Sequence, residues 1–125
     1  MYRVSVRREV IAQHYLTVPN PGPEGELHSH AFLVEVELSG SELNEFGYLV
    51  DIDDVKAALD GTLDRYRDET MNDLPEFEGK NPSVERFARF VCERFVDAAT
   101  LDGTERVSVQ IWEDDTASAT YETTV

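Results

Sequence analysis

The spacing of apolar residues along this chain switches from every second position to every third or fourth, then back to every second. Few folds accommodate that order. From the N-terminus Tyr2, Val4, Val6 and Val10 alternate with polar residues, the period of a strand with one buried face, and a first strand is expected to reach about Ile11. Phe32, Val34, Val36 and Leu38 repeat the pattern with Glu35 and Glu37 opposite, so a second amphipathic strand ends at Ser39-Gly40 and can pair with the first. Between them, Leu16 to Glu26 contains Pro19-Asn20-Pro21-Gly22-Pro23-Glu24-Gly25, a concentration of turn formers that reads as a loop.

The period then lengthens. Ile52, Val55, Leu59, Leu63 and Tyr66 fall at helical spacing, and the acidic turn Asp51-Ile52-Asp53-Asp54 suits the positive end of a helix dipole. A polar loop, Asp68 to Lys80, leads to Asn81-Pro82-Ser83, where Asn81 is expected to cap a second helix and Pro82 to occupy its first position. The core stripe of that helix is Val84, Phe87, Ala88, Val91, Phe95 and Ala98. After Asp102-Gly103, Val107, Val109 and Ile111 alternate into Trp112, and a last strand is expected from about Ala117 to Val125. The order β-β-α-α-β-β predicts an α+β fold of one domain, residues 1–125, with an antiparallel four-stranded sheet and both helices on one face. Phe32, Phe87, Phe90, Phe95, Tyr48 and Trp112 supply aromatic core material. Such a sheet has two open edges in a small chain, which predicts edge-to-edge pairing between copies, a homo-oligomer.

Charge narrows the class of partner. With 26 acidic against 11 basic residues, the net charge of −15 repels phosphate backbones and anionic lipids, so nucleic-acid and membrane binding are not expected. Lysine occurs only at Lys56 and Lys80. Concentrated salt screens the self-repulsion of such a surface, so the composition predicts a halophilic protein whose subunits need salt to associate, with an ordinary acidic protein as the alternative. The single cysteine, Cys92, permits no internal disulfide, the first residues alternate instead of forming an apolar signal run, and a cytoplasmic location is expected. No stretch reaches the length of a bilayer span.

The three histidines are grouped. His28 and His30 lie two apart at the entrance to the second strand and project from the same face, while His14 lies just beyond the expected end of the first strand. Antiparallel pairing can bring all three together. Three neutral imidazoles with an open fourth position form the donor set of a catalytic zinc ion. On spacing alone the alternative, three incidental histidines on an acidic α+β oligomer, stays open.

Taken together, Ala12-Gln13-His14, Leu27-His28-Ser29-His30, Gly47-Tyr48-Leu49-Val50-Asp51, Asn81-Pro82-Ser83-Val84-Glu85 and Trp112-Glu113 followed by Ala119-Thr120-Tyr121 resemble the 6-pyruvoyltetrahydropterin synthase / 6-carboxytetrahydropterin synthase family, in its order and over nearly the whole chain. Ser29 stands where the family usually has glycine between two histidines. The resemblance implies a tunnelling fold, with sheets joined edge to edge into an oligomeric barrel of trimers or hexamers and active sites at subunit boundaries. It further implies Zn2+ on His14, His28 and His30, the substrate 7,8-dihydroneopterin triphosphate, and Glu113 holding the pterin ring, a role that suits a carboxylate accepting two hydrogen bonds.

Two of the family's catalytic features are altered. Glu24 occupies the position of the usual cysteine, and the segment matching the Asp-His pair reads Arg67-Asp68-Glu69-Thr70-Met71-Asn72. Cys92 lies inside the second helix and reads as structural. Glu24, with Glu26 as competitor, is the expected general base if burial raises its pKa, and Asp68 or Glu69 is the expected second proton-transfer group. Family members with glutamate in this loop are associated with retro-aldol cleavage to 6-hydroxymethyl-dihydropterin. The expectation is therefore a zinc-dependent pterin lyase, with that retro-aldol variant or a degenerate paralogue that binds zinc and pterin without turnover as alternatives. Lys80, Arg7 and Arg8 are the candidate triphosphate contacts.

Overall fold

In the computed structural model, which describes all residues Met1–Val125, the first two strands form a long antiparallel hairpin. Strands β1 (Tyr2–His14) and β2 (His28–Gly40) pair Val6 with Val36, Val10 with Phe32 and His14 with His28. β3 (Arg106–Trp112) adds to β2 and β4 (Ser118–Thr124) to β3, so the sheet runs in the order β1-β2-β3-β4. Helices α1 (Ile52–Asp64) and α2 (Val84–Ala98) cover one face, giving the expected α+β layer arrangement.

Alternation sets which residues meet the helices. Val6, Val10 and Ala12 of β1, Phe32, Val34, Val36 and Leu38 of β2, and Val107, Val109 and Ile111 of β3 are buried against Val55, Leu59 and Leu63 of α1 and Phe87, Ala88, Val91, Cys92 and Phe95 of α2. Each large side chain so buried contributes about 1.5–3 kcal/mol. β2 ends at Gly40, where an added Cβ would collide with the Gly103 carbonyl and press on Leu49 Cδ1, so no side chain fits. No helix is long and apolar enough to cross a membrane.

Several expectations need correction. β1 continues to His14, past the expected end at Ile11, because the ladder to β2 persists after the apolar alternation fades into Ala12 and His14. The loop from Leu16 to Glu26 contains one 3-10 turn, Gly22–Gly25. Tyr48 and Ile52 are exposed, and Trp112 lies on the sheet face away from the helices. The helix α2 is capped by Ser83, whose Oγ accepts from Arg86 N, and Pro82 precedes the helix; the Asn81 side chain is engaged elsewhere.

The polar loop after α1 is anchored twice. Met71 and Phe77, in 3-10 turns Met71–Asp73 and Pro75–Phe77, are buried. Between the helices, the Glu76 carboxylate accepts from Arg65 Nε (2.9 Å) and Nη2 (2.7 Å), from Tyr66 Oη (2.8 Å) and from Arg94 Nε (3.3 Å). These bonds, led by those from Arg65, hold the Glu76 pKa at about 2.

Candidate metal centre

His14 ends β1, His28 begins β2, and the register sets them directly opposite. His30 follows two residues on, opposite Ala12, so all three imidazoles share the helix-covered face at one end of the sheet. Ring centroids are 4.6 Å apart for His14 and His28, 4.9 Å for His28 and His30, and 5.2 Å for His14 and His30. Phe32 packs beneath, its ring 5.3 Å from that of His30 and 6.0 Å from that of His14. His14 is buried; the other two are half-buried.

Second partners orient two of the rings. His14 Nδ1 donates to the Pro82 carbonyl at 2.9 Å and His28 Nδ1 to the Glu26 carbonyl at 2.7 Å. A proton held on Nδ1 leaves Nε2 with a free lone pair, the form that binds a metal. The Nε2 atoms of His14, His28 and His30 are all buried without a hydrogen-bond partner, and one ligand nitrogen from each lies within 4.8 Å of the others. Three orphaned imidazole nitrogens this close together are costly unless a cation lies among them, and this donor set fits zinc. Burial lowers the His14 pKa below its ordinary value, which keeps the ring neutral.

Glu113 stands just beyond β3, where its N–H donates to the Ala117 carbonyl across the β3–β4 turn. Its Oε1 lies 3.1 Å from His30 Nε2, an approach not aligned as a hydrogen bond. With Val84, Glu85, Ala117, Ser118 and Ala119 it lines a small cleft between the start of α2 and the turn.

The structure brings the other expected residues to the centre unequally. Glu24 lies in the 3-10 turn Gly22–Gly25, drawn to the end of β1 by the bond from Leu16 N to its carbonyl (2.8 Å). Its carboxylate is near enough to His14 to oppose the effect of burial on that ring, and it is itself exposed. Glu26 contributes the carbonyl that orients His28. Asp68, in the left-handed region at φ 59°, donates its N–H to Ile11 O at 2.7 Å, and Glu69 O accepts from Gln13 N at 2.9 Å. Both run beside β1 through their backbones. The three cations expected at a triphosphate are engaged elsewhere: Arg7 with Glu35, Arg8 with Asp60, and Lys80 with the ring of Phe90 and the Glu76 carbonyl. What sequence reasoning missed is the supporting layer, the Pro82 and Glu26 carbonyls, which no side-chain pattern marks.

A family model described as 6-pyruvoyl tetrahydropterin synthase matches residues 3–124. The chain belongs to this family. Its members are lyases acting on pterins. Among solved structures, the Caenorhabditis elegans 6-pyruvoyl tetrahydropterin synthase superimposes with a TM-score of 0.79 at 20% identity, covering 98% of this chain and 97% of that one. The Plasmodium falciparum synthase gives 0.81 at 13% identity over 99% and 98% of the two chains. A Plasmodium vivax synthase, described as a catalytic-residue mutant in which alanine replaces a glutamate, gives 0.78 at 14% identity over the whole of both chains. These likenesses establish that the chain has the synthase family's tunnelling fold.

Proposed function

We propose that the chain is a zinc-dependent lyase acting on 7,8-dihydroneopterin triphosphate or a closely related pterin. The observation that carries this reading is the convergence of three buried, unpartnered Nε2 atoms beside a carboxylate in a pterin-synthase fold. His14, His28 and His30 hold the metal. Bound there, zinc supplies a Lewis acid for the oxygens of the substrate side chain. Glu113 accepts hydrogen bonds from the 2-amino group and adjacent ring N–H of the pterin, with the cleft beside it taking the ring.

Glu24 is the proposed base and Asp68 a second proton-transfer group. In the retro-aldol variant, Glu24 takes the proton of the hydroxyl on the second side-chain carbon. The bond between the first and second carbons breaks, its electron pair moves into the ring C=N, and a proton returns to the first carbon. The products are 6-hydroxymethyl-dihydropterin and a two-carbon aldehyde bearing the triphosphate. A glutamate serving as a catalytic residue in the Plasmodium vivax synthase supports this assignment. Copies joined along the free edges of β1 and β4 into a barrel bring further groups to each site, in the cytoplasm and in high salt.

The competing reading is a paralogue that binds zinc and pterin without turnover. It rests on the exposure of Glu24 and on an Asp68 carboxylate with no bond to the histidine cluster. Incubation of zinc-loaded protein with dihydroneopterin triphosphate in molar salt, with products identified by mass, separates the two. A cleaved or rearranged side chain is the expected result. Pterin binding without product would overturn the enzyme reading, and an unchanged rate in Glu24→Ala would remove that residue as base.

A further inference from the structure

Beyond His14 the chain has left the β1–β2 ladder, yet each of its next three residues is pinned. Tyr15 N donates to Asn72 Oδ1 (3.1 Å) while Asn72 Nδ2 donates to Tyr15 O (2.9 Å), so a side-chain amide copies one rung of a β-ladder. Leu16 N donates to Glu24 O (2.8 Å). Thr17 N and Oγ1 both donate to Asn81 Oδ1, at 2.9 and 3.4 Å. Both asparagines stand on fixed ground. Asn72 follows the buried Met71 in its 3-10 turn, and Asn81 precedes Pro82, whose carbonyl accepts the hydrogen bond from His14 Nδ1.

We infer that Asn72 and Asn81 are positioning residues for the metal centre, clamping the backbone after His14 so that its Nε2 stays aimed at the point shared with His28 and His30. This rests on the metal-centre reading above and adds to it two residues that touch neither metal nor substrate. His14 is held from both sides: its ring by Pro82 O, its following peptide by Asn72. Loss of either hold lets the imidazole swing, and outer partners of metal ligands typically carry about 10–100-fold in affinity.

The two clamps differ in chemistry, and that difference makes the test sharp. Asn72 must donate and accept at once, whereas the Asn81 side chain only accepts from Thr17. Aspartate can therefore replace Asn81 but not Asn72, where a carboxylate oxygen would face the Tyr15 carbonyl. The full-length protein and its Asn72→Asp, Asn81→Leu and Asn81→Asp variants are titrated with zinc against a chromophoric chelator, and with Co2+ for its visible spectrum, alongside thermal midpoints. Asn72→Asp and Asn81→Leu are expected to bind zinc at least about tenfold more weakly with an altered cobalt spectrum, and Asn81→Asp to stay near wild type. Asn72→Ala, which removes both bonds without adding charge, replaces Asn72→Asp if the latter does not fold. Lower midpoints with wild-type zinc affinity and cobalt spectra would overturn the inference, as would Asn81→Asp losing as much as Asn81→Leu. Wild-type protein that binds no metal would instead bring down the metal-centre reading, and this inference with it.

Discussion

Alternate residues of the same four strands build two sheet faces of opposite chemistry. Toward the helices lie Val10, Phe32, Val34, Val36, Val109 and Ile111, all nearly inaccessible, and the row ends in three imidazoles. The other face carries Arg3 beside Glu37 (3.4 Å), Arg7 beside Glu35 and Arg106 beside Glu122 (3.7 Å), with Trp112 and Leu33 half-buried among them. Dry packing next to a ligand set fixes ring positions that solvent would loosen. Cross-strand ion pairs in water contribute little to stability and keep the opposite face wet, so the same strands can serve one side as a core and the other as a hydrated wall.

Substitutions on the two faces should therefore differ sharply in effect. Phe87, its ring 5.1 Å from Phe32 and 5.0 Å from Tyr66, carries the largest expected loss. Phe87→Ala should cost about 3–5 kcal/mol in denaturant unfolding. His28→Ala, at the end of the same face, should weaken zinc binding by more than about a hundredfold, read by chelator competition, and leave the metal-free fold near wild type.

Glu76 ranks next. Its pKa of about 2 lies below the ordinary 4.5, so its contribution is complete above pH 4.5 and lost as pH falls toward 2. Allowing for partial solvent screening, about 1–2 kcal/mol should disappear across that window, and Glu76→Gln should flatten the acid limb of a stability-against-pH curve. The smallest change is expected on the wet face: Arg7→Ala should cost less than about 1 kcal/mol in dilute buffer, and less again in molar salt. A cost there matching that of Phe87→Ala would erase the contrast between the faces.

Element order was legible because the apolar period changes where the backbone does. Parity carried further information: alternation that buries Val107, Val109 and Ile111 must turn Trp112 to the other face, despite its size and apolarity. Met71 and Phe77 escaped notice because single apolar residues in a polar loop have no period to betray them. Asn81 and Ser83 are both good helix caps, and only tertiary structure, by committing Asn81 to Thr17, leaves the cap to Ser83. At the candidate site the three histidines were readable from spacing and strand pairing. Their supports were not, since every residue owns a carbonyl and only the fold decides that those of Pro82 and Glu26 meet imidazoles.

Cys92 gives the dry face one more property. Its thiol sits within α2, fully covered, and burial pushes its pKa up to about 11. A thiol-specific reagent therefore finds neither access nor thiolate in the native molecule and labels it only when the core beneath α2 opens. With one cysteine in the chain, the rate of mass gain in such a reagent reports that opening directly, a clock for unfolding that needs no engineered probe.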